Sequence, residues 1–226
     1  MTAVAGLALL AVVPSAEARS ADKKHDQKLA QSLVLKASDV PAGWTRKPKT
    51  KNKKDSVDTQ LNKMAVKCGA PRQAFDAFKK FETAKATGDF ESPDNSELSA
   101  EPTIFNTKRN ADRAWNLVND CLLDGFIKIL DDSITKGGST ATAGATYDVG
   151  PAARLDSTVR GVATKGRTQT ITVSAQGIQI PLSFSFVFLH HGRVDETVLL
   201  LSYNNELTPT FQNQVLTTLA RRTTAA

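Results

Sequence analysis

The sequence predicts an α+β domain in which helices pack on a mainly antiparallel sheet. Three patterns carry that expectation. Residues 168–203 alternate apolar and polar side chains with a period of two, the signature of strands. Residues 111–130 repeat apolar side chains near a 3.6-residue period, as an amphipathic helix does. The chain then closes on Thr208-Pro209 and a second helical stripe. Taken in order, the chain reads as helices, a strand, a long helix, antiparallel strands and a final helix.

At the N-terminus, VAGLALLAVV (4–13) followed by PSAEA (14–18) is a short apolar run ending in small-x-small, the pattern a signal peptidase reads. Cleavage is expected after Ala18. The run is about ten residues, half of the roughly 20 needed to span a bilayer, so a transmembrane span is not expected. Residues 19–28 (RSADKKHDQK) read as a disordered basic tail, with a single α+β domain over 29–226. Leu29, Leu33 and Val34 predict a short helix that Pro41 and Gly43 terminate. In Val40-Pro41-Ala42-Gly43, Pro suits the second position of a turn and Gly the fourth, which lets Trp44 fold back over the preceding Leu and Val side chains and dock this arm on the body.

Arg46, Lys47, Lys49, Lys51, Lys53 and Lys54 flank Pro48 and repel one another, which predicts a solvated loop. A helical segment is expected over 57–85, interrupted at Cys68-Gly69-Ala70-Pro71, with Ala74, Phe75, Phe78 and Phe81 on one face. Gly88 to Ser96 reads as a loop, and Leu98 to Asn106 as a strand that Pro102 confines to a sheet edge.

Asn110 is the expected N-cap of one long helix whose stripe is Ala111, Ala114, Trp115, Val118, Cys121, Leu122, Phe126, Ile129 and Leu130, with Gly125 as a point of weakness. The Gly/Ala/Thr-rich stretch 136–152 reads as a surface loop. Thr168, Thr170, Thr172 and Ser174 then alternate with Gln169, Ile171, Val173 and Ala175. Ile178, Ile180, Leu182, Phe184, Phe186 and Phe188 line one face of the next strand, with Ser183 and Ser185 opposite. His191-Gly192 predicts a hairpin turn into 194–203, where Val198 to Leu201 are apolar on both faces, as a central covered strand would be. Thr208 caps the last helix, Pro209 occupies its first position, and Phe211, Val215, Leu216, Leu219 and Ala220 form its stripe. Arg221 and Arg222 suit its C-terminal end.

Composition narrows the compartment and the partners. Among 226 residues there are two cysteines, Cys68 and Cys121, which allow one intrachain pairing, and in an exported chain that bridge persists. Closing a loop of roughly 50 residues stabilises by about 4 kcal/mol in the chain-entropy model. The alternative is two buried free thiols. No cysteine precedes Cys68, so a lipoprotein anchor near the cleavage site is not expected. Eleven Lys/Arg against three Asp lie between Arg19 and Lys54, whereas residues 55–226 hold eighteen Lys/Arg against nineteen Asp/Glu. The basic character therefore belongs to the arm, which suits either a solvated tether or attraction to an anionic envelope surface. Nucleic acid is not an expected partner, because the run lacks interleaved aromatic side chains.

Chemistry-bearing patterns are few. His190 and His191 are adjacent and point to opposite faces of an extended chain, so no metal site is expected. There is no G-x-S-x-G elbow, and Ser183, Ser185, His190 and Asp195 come from one hairpin where alternation opposes convergence. Asp131-Asp132 and Asp195-Glu196 are sequence neighbours, not opposed carboxylates, and KGGST lacks the spaced Gly-Lys-Ser/Thr of a phosphate loop. No catalytic residue and no cofactor is expected. What remains is a hydroxyl-bearing set: Thr168, Thr170, Thr172 and Ser174 on one strand, Ser183 and Ser185 on the next. If their faces coincide they could line a shallow groove for a glycan or lipid headgroup; otherwise they are a wet sheet surface, on which threonine is a good strand former.

LVLKASDVPAGWT (33–45), Cys68, IFNTKRNADRAWNLVNDCL (104–122), HGRVDETVLLLS (191–202) and LARRT (219–223) together resemble a group of secreted actinobacterial proteins. The group includes small lipoproteins of PsbP-like fold and the extracellular sensor domains of mycobacterial serine/threonine kinases. The resemblance covers roughly residues 29–223. It implies a sandwich of an antiparallel sheet and helices, a bridge from the long helix, a ligand cleft and no catalytic residues. The resulting expectation is a monomeric, secreted, envelope-associated binding domain for a small amphiphilic or envelope ligand, lipid or glycan. The alternatives are an interaction module that docks a partner at the cell surface, and a secreted hydrolase. A pocket of several hundred Å³ between sheet and helix favours the first, an exposed apolar patch the second, and convergent Ser, His and Asp side chains the third.

Overall fold

Two tight hairpins organise the centre of the sheet. In the computed structural model, which describes residues 16–47, 56–71, 74–141, 145–155, 160–204 and 207–226, β7 (Ala163–Ala175), β8 (Ile178–His191) and β9 (Val194–Tyr203) run antiparallel in sequence. Gln176 and Gly177, both at positive φ, turn β7 into β8, and Gly192-Arg193 turns β8 into β9. Both are two-residue loops of the kind that match strand twist. The second sits one residue beyond the predicted turn.

The remaining elements are α1 (Ala16–Leu33), β1 (Thr45–Arg46), α2 (Ser56–Lys67), α3 (Ala74–Lys79), β2 (Glu82–Lys85), β3 (Gly88–Glu91), β4 (Glu97–Phe105), α4 (Lys108–Leu117), α5 (Asp120–Ala141), β5 (Thr146–Val149), β6 (Ala153–Arg154) and α6 (Pro209–Thr224). The strands form one antiparallel sheet in the order β1-β3-β4-β9-β8-β7-β5, with β2 also pairing β4 and β6 pairing β7. The fold is thus α+β, as the periodicities predict, and β9 is central, as its two apolar faces require.

Helices cover both faces. On one, α6 lays Val215, Leu216, Leu219 and Ala220 on Val187, Leu189, Val198 and Leu200, while α1 packs Ala30 and Leu33 near Ile104 and Val194. On the other, Val118, Leu123 and Phe126 meet Phe186 and Phe188, and the Phe126 and Phe186 rings stack at 4.0 Å. The α6 cap matches the sequence: the Thr208 hydroxyl accepts from the Phe211 amide, and Pro209 follows in the first turn.

Several expectations are corrected. Residues 19–28 are not a tail: they belong to α1, and their order comes from far along the chain, because buried Asp26 accepts from Arg193 at 2.8 Å and from the Thr83 hydroxyl. The helix ends at Leu33, well before Pro41. The Trp44 turn is Pro41–Trp44, closed by the Trp44 amide on the Pro41 carbonyl, with Gly43 at φ 93 in the third position. Trp44 does dock, facing Phe211 of α6 at 6.2 Å. Residues 82–85 and 88–91 are strands, not helix and loop, since their partners on β4 are not visible locally. Residues 48–55 of the basic run lie outside the described residues, while Arg46 is in β1.

Pro102 stands inside the sheet, not at its edge. Its carbonyl accepts from the Ala86 amide, so its missing N–H faces the Ala86–Thr87 break between β2 and β3, where no ladder bond is lost. The predicted long helix is two: α4 is capped by Thr107, stops at extended Val118, and α5 restarts where the Asn119 side chain accepts from the Leu122 amide. Continuing to Ala141, α5 also occupies the first part of the expected 136–152 loop.

Cys68 and Cys121 form the predicted disulfide, joining the end of α2 to the start of α5. Cys121 itself is exposed, and the buried stripe beside it runs through Leu122, Leu123, Phe126 and Ile127. Gly125 lies within a continuous α5, under the Met64 side chain of α2, which a Cβ there would displace.

Candidate ligand-binding groove

The hydroxyl set comes together only in part. Thr168 faces Ser185 and Thr170 faces Ser183 across the β7–β8 ladder, and each pair is joined by a 2.9 Å hydrogen bond. Ser185 is buried beneath α6, where Gln212 reaches it at 3.3 Å. Thr172 and Ser174 stand opposite Pro181 and Gln179. The cavity described below is lined by none of these six residues.

His190 and Asp195 do converge, because they are directly opposed on β8 and β9. His190 Nδ1 lies 2.5 Å from Asp195 Oδ1 and Nε2 lies 3.0 Å from Asp112 Oδ1 of α4, with the imidazole stacked at 5.2 Å on Trp115. Lys165 approaches the Trp115 ring at 4.3 Å and donates to the Trp115 and Val118 carbonyls at the end of α4. Burial acts to lower the His190 pKa, but the hydrogen bonds and charges of Asp195 and Asp112 outweigh it and hold it above the ordinary imidazole value. Burial lowers that of Lys165, against the charges of Asp120 and Asp195. This cluster caps and clamps α4. Ser183 and Ser185 project from the other face of the sheet, so no Ser–His–Asp constellation forms from this hairpin. His191, as expected, points elsewhere, to the Gly161 carbonyl at 2.8 Å.

A cavity of about 640 Å³ opens between α1 and the β1–β3 corner of the sheet. One wall is built where α1 ends. Val34 and Leu35 turn inward and are buried, and Lys36 leads into a short 3-10 turn, Ala37–Asp39, whose Asp39 carboxylate accepts from the Lys36 amide at 2.7 Å. Arg222 of α6 fixes this wall from behind, donating to both Asp39 oxygens and to the Val34 carbonyl at 3.1 Å. Burial acts to raise the Asp39 carboxyl, yet the Arg222 and Lys36 hydrogen bonds prevail and hold it below the usual carboxylate range.

The facing wall is Arg46, Lys47, Ala86, Thr87 and Asp89, with Gln27 and Gln31 of α1 at one end. The walls can approach because residue 88 is glycine: a Cβ there would stand 3.0 Å from the Leu35 amide nitrogen and 3.1 Å from Val34 Cβ. Lys47 is committed, 2.5 Å from Glu97 and 3.5 Å from Glu91, and its pKa is raised chiefly by the Glu97 hydrogen bond. Asp89 accepts from the Ser99 hydroxyl at 2.6 Å. Lys36, Ala37 and Arg46 are exposed, so the cavity opens on their side.

The sequence places Val34 in a helix and Arg46 and Lys47 in a solvated basic run, and none of the groove residues in a ligand site. Gln27 and Gln31 have the i, i+4 spacing of one helix face, but only the helix extending through 19–28 makes that spacing meaningful. Among the described residues no group of three or more His, Cys, Asp and Glu is placed to hold a metal ion, and no helix is long and apolar enough to cross a membrane.

No protein-family model matches the chain, and no curated protein matches it. Among solved structures it is similar to the extracellular domain of PknH from Mycobacterium tuberculosis, with 12% identity and a TM-score of 0.46 over 88% of this chain and 97% of that one. The likeness is distant.

Proposed function

We propose that the protein is an exported, non-catalytic binding domain whose ligand is a small amphiphilic molecule of the cell envelope. The observation that carries this reading is the cavity of about 640 Å³ between a helix and the sheet. Small-molecule sites occupy about 300–1,000 Å³ and combine apolar lining with a few placed polar groups. Here the apolar part is Val34, Leu35, Ala37 and Ala86, and the polar part is Gln27, Gln31, Thr87 and the charges at the rim. The Cys68–Cys121 bridge supports export, since such bonds persist in oxidising compartments. The basic residues of the arm and of the run that follows it support residence at an anionic envelope surface.

Native mass spectrometry of the full protein purified from its own host is the direct test. A co-purifying lipid or glycan of defined added mass is expected. Bare protein from the host, together with no uptake from a host envelope extract, would remove the reading.

A specific observation favours a second reading, docking of a protein partner through a sheet edge. At the β7–β8 hairpin tip Ile178 and Ile180 are 63% and 39% exposed, and Val149 of neighbouring β5 is 40% exposed. Register places all three on one face. Uncovered apolar surface of this kind, with no adduct in the native spectrum, would shift the balance to that reading.

A further inference from the structure

We infer that the groove selects an anionic headgroup, with Lys36 and Arg46 as its recognition pair; the inference rests on the groove being the ligand site. Three cations and one carboxylate line the cavity. Their partners separate them into two kinds. Lys47 is paired with Glu97 and Glu91, and Asp89 is bonded to Ser99, so both belong to the wall itself. The carboxylate nearest Lys36 in sequence, Asp39, is committed to Arg222. Lys36 and Arg46 have no acidic partner within ion-pair distance among the described residues.

Both cations line the cavity and are exposed, whereas Val34, Leu35 and Ala86 of the same lining are buried. Two positive groups without an ion pair raise the local potential, Lys36 being offset only through space by Asp39, and a phosphate or carboxylate placed between them relieves it. The glutamines are neutral donors and add no compensating charge. Behind the mouth, buried Val34, Leu35 and Ala86 offer surface that a charged group would have to be desolvated to reach. The chemistry therefore points to a small amphiphile with an anionic head at the Lys36–Arg46 mouth and its apolar chain inward. A cationic amphiphile meets like charge there, and an uncharged glycoside leaves both cations unsatisfied.

Isothermal titration of the full chain with dodecyl phosphate, dodecyl glucoside, dodecyltrimethylammonium and inorganic phosphate tests this. Dodecyl phosphate is expected to bind about tenfold or more tightly than the glucoside, the change one charge-assisted contact brings, while the ammonium does not bind. Inorganic phosphate should bind more weakly than dodecyl phosphate, because it lacks the chain. The double variant K36Q/R46Q should lose the preference for dodecyl phosphate and keep its affinity for the glucoside; both side chains are exposed, so unchanged circular dichroism checks the fold. Equal binding of phosphate and glucoside, or binding of the ammonium, overturns the anion selectivity while leaving an amphiphile site. Inorganic phosphate binding as tightly as dodecyl phosphate overturns the amphiphile. If no amphiphile binds and host-purified protein carries no adduct, the groove reading itself falls.

Discussion

On the α4–α5 side of the sheet, His190 sits between Asp195 and Asp112, and Arg167 sits between Asp120 and Asp124 at 2.8 and 2.7 Å. At the groove, Lys36 and Arg46 make no ion pair among the described residues, and Lys36 acts on Asp39 only through space. The first region spends its charges on holding helices to strands. The second leaves two unmatched at the mouth of a cavity. Where cations are answered by the chain's own acids, further ligand has nothing to satisfy; where they are not, a partner can supply the missing charge. The two regions should thus respond to different perturbations, one in stability and the other in binding.

Removing the disulfide should give the largest effect. It ties α2 to α5 on the clamped side and closes a separation of 53 residues. In the chain-entropy model C68S/C121S loses about 4 kcal/mol of stability. Chemical denaturation measures the loss, and titration of the folded fraction with dodecyl phosphate should show affinity unchanged, because neither cysteine lines the groove. A loss of affinity with no loss of stability would invert the contrast between the two regions.

Glu196 comes next, under α6 on the face opposite the His190 clamp. Its side chain is fully buried, Oε2 accepts from the Thr223 hydroxyl at 3.1 Å, and Oε1 has no hydrogen-bond partner among the described residues. Burial pushes its pKa up to about 8, against the Thr223 hydrogen bond and the Arg222 charge. An acid raised on folding contributes stability that is fully present below its unfolded pKa near 4.5 and is lost as pH rises through 8. The folding constant therefore falls by up to about tenfold per pH unit across that window. Glu196→Gln should flatten the profile and leave the variant the more stable protein at pH 8. Parallel pH profiles for the two proteins would show that Glu196 is already ionised in the fold.

The same division between local and distant partners governs how much the sequence reveals. The β7–β8–β9 hairpins and α6 are legible because period, turn residues and the Thr208-Pro209 cap all lie within a few positions of one another. Helix α1 through 19–28 is not legible, because the Arg193 that holds its Asp26 lies 167 residues away. β2 and β3 look like helix and loop until β4 pairs with them, and Pro102 looks like an edge residue until a break in the neighbouring strand faces it. The stop at Val118-Asn119 interrupts a run whose apolar period continues unbroken, so only the Asn119 cap hints at it. The hydroxyl set is legible as a face, since alternation fixes faces, but not the mutual bonds that occupy its inner members. The groove assembles residues 27–37, 46–47 and 86–89, three segments that share no local pattern, with Arg222 holding the first of them.

The smallest expected effect belongs to the His190 clamp. Protonated imidazole is favoured by Asp195 and Asp112 from β9 and α4 and opposed by burial, while Lys165, 4.3 Å from the Trp115 ring, is the neighbouring cation. Because the net shift is upward, the clamp's stability is fully present below the ordinary histidine pKa and is lost as pH rises through the folded value. Trp115 stacks on this ring and so reports its charge through fluorescence, with W44F removing the signal of the other tryptophan. In that background a transition on raising pH should accompany a roughly two- to tenfold loss in folding constant, the size of an ordinary net hydrogen bond. Adding His190→Gln should abolish the transition and leave dodecyl phosphate binding intact. A fluorescence transition that survives in the His190→Gln protein would assign it to another group and leave the imidazole a neutral packing residue between the carboxylates of α4 and β9.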